Sequence, residues 1–235
     1  MPVAITRGVS PAIAACELTL LERMPIDLDV ARDQHADYEA ALVRLGCRVE
    51  RLQAEPDLPD SVFVEDVAVV LDEVAVLTRP GAESRRGERP SIERALSPYR
   101  DVVAIEAPGA VDGGDVLVSG RDVWIGLTTR SNRHAIDQFR RAVTDHGYRV
   151  HPIEVTGCLH LKSSATAAGD VAAQQREPPQ PVGARALVAE IPDALEGARV
   201  VGVSAGYRNT CALDAEGGLH CWGASDFGQL PAPGG

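Results

Sequence analysis

Apolar residues in this chain fall into short valine-rich runs, broken by Pro, Gly and Asp, and into longer stretches with helical spacing. Val3 to Thr6 predicts a short strand, followed by a loop through Ser10 and Pro11. From Asp29 to Leu45 the apolar positions Val30, Tyr38, Ala41, Leu42 and Leu45 recur at helical spacing, and Gly46 supplies the stop. Cys47 to Leu52 predicts a strand, and Ser61 to Val70 a buried one. Val74 to Thr78 is the next strand, joined to it by Leu71-Asp72-Glu73 as a hairpin turn. Pro90 to Pro98 reads as a short helix, and Asp101 to Ile105 and Asp122 to Leu127 as strands. Ser131 or Asn132 can cap a helix that runs through Ile136, Phe139 and Val143 to Gly147.

This alternation predicts an α/β fold, and an internal repeat sharpens it. Leu45-Gly46-Cys47-Arg48-Val49 parallels His146-Gly147-Tyr148-Arg149-Val150, each closing a helix and opening a strand. Polar residues follow at comparable places, Asp60 after the first and His160 after the second. Strand, strand, helix, strand thus recurs, as in a pseudo-symmetric propeller of small α/β units.

Composition narrows the classes of function. The net charge of −11, from 34 acidic and 23 basic residues, argues against a general nucleic-acid binder. Lys162 is the single lysine, so the basic residues are almost all arginine. The five cysteines (Cys16, Cys47, Cys158, Cys211 and Cys221) form no C-x-x-C pair, and no zinc site or disulfide framework is expected in residues 1–169. No apolar stretch has the length of a membrane-spanning helix. Ile13-Ala14-Ala15-Cys16 resembles the end of a lipoprotein signal, but the apolar run before it is short and interrupted by Pro11. The expectation is a cytoplasmic protein, with neither membrane nor nucleic acid as partner and an oligomeric state that the sequence leaves open.

Candidate chemistry concentrates in Pro59-Asp60-Ser61-Val62-Phe63-Val64-Glu65-Asp66. An acidic pair within an apolar run is costly to bury unless a cation or hydrogen bonds satisfy it. Two readings follow. Glu65 and Asp66 pair with the chain's own arginines, or they receive a cationic ligand with Phe63 as one wall. On a strand Phe63 and Glu65 would share a face, and Asp66 would need a bulge or strand end to join them. Arg79 to Arg89 lacks hydrophobic periodicity, and its Arg85 and Arg86 suit bidentate capture of a carboxylate, or else belong to a solvated charged loop. In Val111-Asp112-Gly113-Gly114-Asp115 the glycines allow close backbone approach and set Asp112 at the lip of a strand; a plain Asp-Gly turn is the alternative. Arg130 falls at a strand–helix junction, a favourable place to hold an anion. His160, between Leu159 and Leu161, is either a satisfied core histidine or a general acid and base at the end of a strand. Cys158 would share that strand's face at roughly 7 Å, too far for a thiolate–imidazolium pair.

Taken together, Asp60 to Asp66, the Arg79-Pro80-Gly81-Ala82-Glu83-Ser84-Arg85-Arg86 loop, Asp112 to Asp115, Arg130-Ser131-Asn132 and Leu159-His160-Leu161-Lys162-Ser163 resemble dimethylarginine dimethylaminohydrolase. Asp29-Val30-Ala31-Arg32 with Gln34-His35 also fits, and the resemblance covers residues 1–169. It implies an incomplete form of the five-unit α/β propeller of the guanidine-modifying enzymes, also called pentein-like. The implied ligand is a small arginine derivative, and the implied reaction converts Nω-methylated arginine to citrulline and a methylamine without metal or organic cofactor. By the resemblance Asp60, Glu65 and Asp66 hold the guanidinium, Leu18 and Phe63 pack on the substrate, and Arg85 and Arg130 hold the amino-acid end. His160 is then the acid and base, and Asp112 supports the reacting guanidinium.

The family carries its nucleophilic cysteine in a Gly-rich C-terminal segment, and here the resemblance stops near Gly169. Residues 170–199 read as a linker. Residues 200–230, with Asn209-Thr210-Cys211 and His220-Cys221-Trp222-Gly223, resemble one repeat of the regulator of chromosome condensation type. One such repeat cannot bury its own apolar face. Cys211 is either a displaced nucleophile or a repeat residue facing Cys221 across a hairpin. The implied functions are a hydrolase apparently lacking its nucleophile, a non-catalytic binder of arginine-like ligands, or a repeat-mediated interaction protein.

Overall fold

The computed structural model describes residues 1–19, 22–155, 158–163 and 165, and the backbone of three strands between 200 and 223. The expected linker, 170–199, lies outside the described residues. The chain divides into two compact units that interleave in sequence: Met1–Gly113 with Thr129–His146, and Gly114–Thr128 with Gly147–Gly235.

The first unit begins with β1 (Val3–Arg7), α1 (Leu28–Arg44) and β2 (Arg48–Leu52), the two strands pairing in parallel. Asp27 starts α1 by accepting the backbone N–H groups of Asp29 and Val30 at 3.0 and 3.1 Å. Gly46, at φ +86°, ends it. The periodicity placed this helix correctly, but its apolar stripe is not a core face. Val30, Tyr38 and Leu45 are exposed, and no residue of α1 is fully buried. A sheet of only two strands offers the helix little apolar surface to cover.

β3 (Ala68–Val70), β4 (Val74–Leu77), α2 (Arg89–Leu96) and β5 (Asp101–Ala104) follow. β3 and β4 form the expected hairpin, and β5 joins β4 in parallel. Val67, Ala75, Leu77, Ile92 and Leu96 make the core, with Ile5, Leu52 and Val64 packed against it. Pro90 sits in the first turn of α2, where a missing N–H costs nothing. α3 (Arg133–Val143) completes the unit, capped by Asn132, whose Oδ1 accepts the Ala135 N–H at 3.0 Å.

The second unit holds β6 (Val116–Ser119), β7 (Asp122–Leu127) and β8 (Arg149–Glu154), again antiparallel then parallel. Its core is Leu117, Trp124, Ile153, Val155, Leu161 and Ala165. Strand, strand, helix, strand therefore occurs twice, and Gly147 at φ +82° repeats the role of Gly46. The sheets are mixed and the fold is α/β. β9 (Val200–Ala205), β10 (Asn209–Asp214) and β11 (Leu219–Gly223) form a separate antiparallel sheet in the order β11-β10-β9. Cys211 stands opposite Cys221 in its backbone register. Among the described residues no helix is long and apolar enough to cross a membrane.

Candidate functional site

The acidic stretch is not a strand. Phe63 N–H bonds the Asp60 carbonyl, Asp66 N–H the Phe63 carbonyl and Val67 N–H the Val64 carbonyl, so Val64–Asp66 winds into a 3-10 turn before β3. Expectation and structure differ because these local bonds compete with strand pairing. The turn does not bring Asp66 to the side of Phe63 and Glu65. It leaves Phe63 48% exposed and Glu65 exposed, and turns Asp66 inward to 7%. Glu65 and Arg100 both line a groove of about 630 Å³ whose other walls are largely apolar, among them Ile5, Tyr38, Val64 and Ala68.

Asp66 realises the ion-pair reading. Arg85, on a 3-10 segment at Glu83–Glu88, donates Nη1 to Asp66 at 2.7 Å and Nε and Nη2 to Glu88 at 2.9 and 3.0 Å. Nη2 also reaches the carbonyls of Asp60 and Phe63 at 3.2 and 3.3 Å. Arg85 is 5% exposed, so this segment is not a solvated loop. The expectation that Arg85 grips a ligand's carboxylate meets a guanidinium already engaged by two carboxylates and two carbonyls. Burial pulls its basicity down, but Glu88 and Asp66 outweigh that and hold it above its ordinary value. Glu88 is the strained member of the pair: burial pushes its carboxyl up, and Arg85 offsets this only in part. Arg86, more exposed, bonds the Pro80 carbonyl and Glu83.

Asp60 is likewise buried and engaged. Both its oxygens accept the Glu17 N–H, at 3.2 and 3.0 Å. Burial raises its carboxyl, and the Glu17 N–H opposes that shift. This contact ties down the strap that carries Leu18, itself 39% exposed. Glu17 also accepts the Ser84 hydroxyl at 2.5 Å, and Arg130 Nη2 donates to Thr19 Oγ1 at 2.8 Å. Arg130 stands between β7 and α3, as expected. A Cβ at Gly81 would lie 2.5 Å from the Arg130 carbonyl oxygen, so only glycine lets the two loops touch.

Asp112 is fully buried, and its Oδ1 accepts the Gly81 N–H at 2.8 Å. A Cβ at Gly113 would lie 1.9 Å from the Glu65 carbonyl oxygen. The glycines thus serve close approach, and Gly113–Asp115 forms a 3-10 turn rather than a hairpin. Leu18, Asp60, Phe63, Glu65, Asp66, Arg85, Arg130 and Asp112 all belong to the first unit, joined by these contacts.

His160 belongs to the second unit. It precedes a 3-10 turn, Leu161–Ser163, and is not on a strand, because its carbonyl accepts the Ser163 N–H at 3.0 Å. The strand-face separation from Cys158 therefore does not apply. Cys158 Sγ donates to the His160 carbonyl at 3.3 Å, away from the ring. His160 Nδ1 lies 3.4 Å from Asp115 Oδ1.

Sequence reasoning passed over Glu88, Glu17 and Asp115. The first was findable, since Arg85 and Glu88 have the i, i+3 spacing of neighbours on a helical turn. Glu17 acts through its backbone N–H, which no residue type announces. Among the described residues no group of His, Cys, Asp and Glu could hold a metal ion.

The profile of the family described as N,N dimethylarginine dimethylhydrolase, eukaryotic, matches residues 22–164, and that of the regulator of chromosome condensation repeat matches 200–229. The chain is 40% identical over 168 residues to N(G),N(G)-dimethylarginine dimethylaminohydrolase of Streptomyces coelicolor, covering 71% of this chain and 65% of that protein. A relative of the same name from Pseudomonas aeruginosa is 37% identical over 139 residues, covering 58% and 55%. The chain thus spans 55–65% of the length of these two curated relatives. A Pseudomonas aeruginosa structure, a cysteine-to-serine mutant complexed with citrulline, superimposes with TM-score 0.68 at 33% identity, over 70% of this chain and 65% of that one. The N-terminal domain of ArgZ, an arginine dihydrolase, shares the fold at TM-score 0.60 and 19% identity.

Proposed function

The chain belongs to the dimethylarginine dimethylaminohydrolase family, and from that premise we propose that it acts on the guanidinium carbon of Nω-methylated arginine, giving citrulline and a methylamine. The observation that carries this reading is Glu65, an exposed carboxylate opening onto a largely apolar groove. A methylated guanidinium is a cation clothed in methyl groups, and such a wall of mixed character suits it. Phe63 and Leu18 offer further exposed apolar surface on the same unit. Arg130 takes the ligand's α-carboxylate, exchanging its bond to Thr19 for a stronger one to the anion. Arg85 acts from beneath, holding Asp66 and the carbonyls of Asp60 and Phe63 in place.

The guanidinium carbon is a poor electrophile, because its charge spreads over three nitrogens. Carboxylates fix its plane, a thiolate adds to the carbon, and His160 protonates the departing amine and then activates water. Residues 1–169 correspond to about three of the five propeller units, and 200–230 to a single β-propeller-type repeat. Cys16, Cys47 and Cys158 do not stand in the family's setting for the nucleophile, so turnover by this chain is expected to be weak or absent while recognition persists.

The test is calorimetry with Nω,Nω-dimethylarginine and agmatine, beside an assay of citrulline formation. Glu65→Gln should weaken binding of the former by about 1.5–3 kcal/mol, the worth of a charge-assisted bond. Equal affinity for agmatine, which lacks the carboxylate, removes the role given to Arg130. Robust turnover lost in Cys211→Ser overturns the expectation of weak catalysis and makes Cys211 the nucleophile.

A further inference from the structure

We infer that the open edge of β1 is an interaction surface for a second copy of this chain, which adds its own β1 there as an antiparallel strand.

Backbone geometry carries this pairing. The Pro2 carbonyl accepts the Arg48 N–H at 2.8 Å, and the Gly8 N–H donates to the Leu52 carbonyl at 3.1 Å. In a parallel ladder alternate residues face the neighbouring strand, so Ala4 and Thr6 face β2 as Pro2 and Gly8 do. Val3 and Ile5 therefore turn their N–H and C=O groups to the opposite edge, where they meet no hydrogen-bond partner among the described residues. Both residues are half-buried, within reach of a further chain. β3 has an edge of the same kind. The Thr78 N–H bonds the Val67 carbonyl and the Leu71 N–H the Val74 carbonyl, so Ala68 and Val70 face away from β4. Val3, Ile5, Ala68 and Val70 all line the groove of about 630 Å³. Two open strand edges thus border one apolar slot, and such edges are templates for an added strand.

The other sheets show what kind of strand fits. β4 and β7 each have a parallel neighbour on one side and an antiparallel, valine-rich strand on the other. Among the described residues β1 has the parallel neighbour alone.

A second copy meets these requirements. Its β1, Val3-Ala4-Ile5-Thr6-Arg7, is an apolar strand of the right type. A twofold axis through Ala4 sets Val3 of one copy against Ile5 of the other, and the reverse, so every outward N–H of the pair meets an outward carbonyl. Charge agrees as well. The groove carries one charge of each sign, Glu65 and Arg100. Arg100 gives Nε and Nη1 to the carbonyls of Leu71 and Tyr99, which leaves Nη2 for an outside acceptor. Across a twofold axis the guanidinium of each copy is offered the carboxylate of the other. Tyr38 and Val70, 56% and 52% exposed, lose water in the same contact. A ligand at Glu65 would compete for that carboxylate, so the pairing belongs to the unliganded chain.

The experiment is analytical ultracentrifugation of the full chain without ligand over a range of concentrations, with hydrogen exchange to locate the contact. The chain should pass from one copy to two as concentration rises, and amide exchange in β1 should slow in step. Val3→Pro removes an outward N–H and no bond to β2, and Val70→Lys sets a charge on the groove wall. Each should weaken association about tenfold or more. Val43→Lys, at an exposed position of α1 outside the groove, should leave association unchanged. A single copy at every concentration would overturn the inference. So would a β1 edge already slow to exchange in dilute solution, which would mean that the chain covers it itself. Association that survives both Val3→Pro and Val70→Lys, or that Val43→Lys weakens equally, would place the contact elsewhere and overturn it too. Should Val3→Pro fail to fold, Val70→Lys decides alone.

Discussion

Replacing Arg85 with methionine tests whether the ion-pair cage is structural. The substitution keeps most of the side-chain volume and removes the cation from between Asp66 and Glu88, 7% and 1% exposed. It also strips donors from the carbonyls of Asp60 and Phe63. Removing one partner of a buried pair costs about 3–5 kcal/mol, because the other charge is left uncompensated. The loss should depend on pH, and its sign follows from Glu88. Burial already raises that carboxyl above 4.5, and Arg85 is what restrains it. Without Arg85 the folded-state value rises further. A group whose folded value is raised adds stability that is fully present below its unfolded value and is lost as pH rises through the folded one. Arg85→Met should therefore be least costly near pH 4.5 and most costly near pH 8, where Glu88 must either ionise unpaired or hold its proton against the solvent. Urea denaturation of both proteins at the two pH values reads this directly. An equal loss at both, or a loss under about 1 kcal/mol at pH 8, would mean that the cage contributes little to the fold.

Two further outcomes follow from single contacts. Gly113→Ala places a methyl 1.9 Å from the Glu65 carbonyl, so the Asp112 loop must move; the cost should be about 1–3 kcal/mol or more, seen as a lowered urea midpoint with weaker ligand binding in calorimetry. Asp122 accepts Arg149 at 2.8 and 2.5 Å and meets His151 Nε2 at 2.8 Å, and chiefly the Arg149 bond holds its carboxyl below 3.8. That stability is present above pH 3.8 and lost as pH falls through the folded value. Asp122→Asn should thus lower the melting temperature slightly at pH 7 and change nothing once acid has protonated the wild type; a thermal melt series checks it.

Much of the fold was legible because its elements are local. Asp122–Leu127 matches its prediction residue for residue, and the helices over 28–44 and 133–143 match to within one residue at the start. Caps and stops explain this: Asn132 accepting Ala135 N–H, and Gly46 and Gly147 at positive φ, act on their own helix ends whatever surrounds them. The burial of α1 was not legible, because periodicity names a face and not the partner that covers it. The 3-10 turn at Val64–Asp66 was missed for a different reason. Val62, Val64 and Val67 have strand propensity, and only the Asp60 and Phe63 carbonyls, caught by Phe63 and Asp66 N–H and by Arg85, override it.

The site shows where residue type stops being informative. The motifs assign Asp60, Asp66 and Arg85 to the ligand, and in the folded chain each is buried and also bonded to the protein itself. Their oxygens and nitrogens hold Glu17, Glu88 and the turn that lifts Phe63 and Glu65 to the surface. A sequence reports that a charge is present, but not whether water or the chain receives it. Burial decides that, and the cost of burying a charge makes the inward-facing ones pair first. Glu65 stays outward because the Asp66 beside it on the turn takes the inward position facing Arg85. Which of the two carboxylates faces outward is therefore set by the phase of the 3-10 turn. Insertion of one residue before Glu65 should carry it one step along the 3-10 turn, into the inward place that Asp66 holds against Arg85.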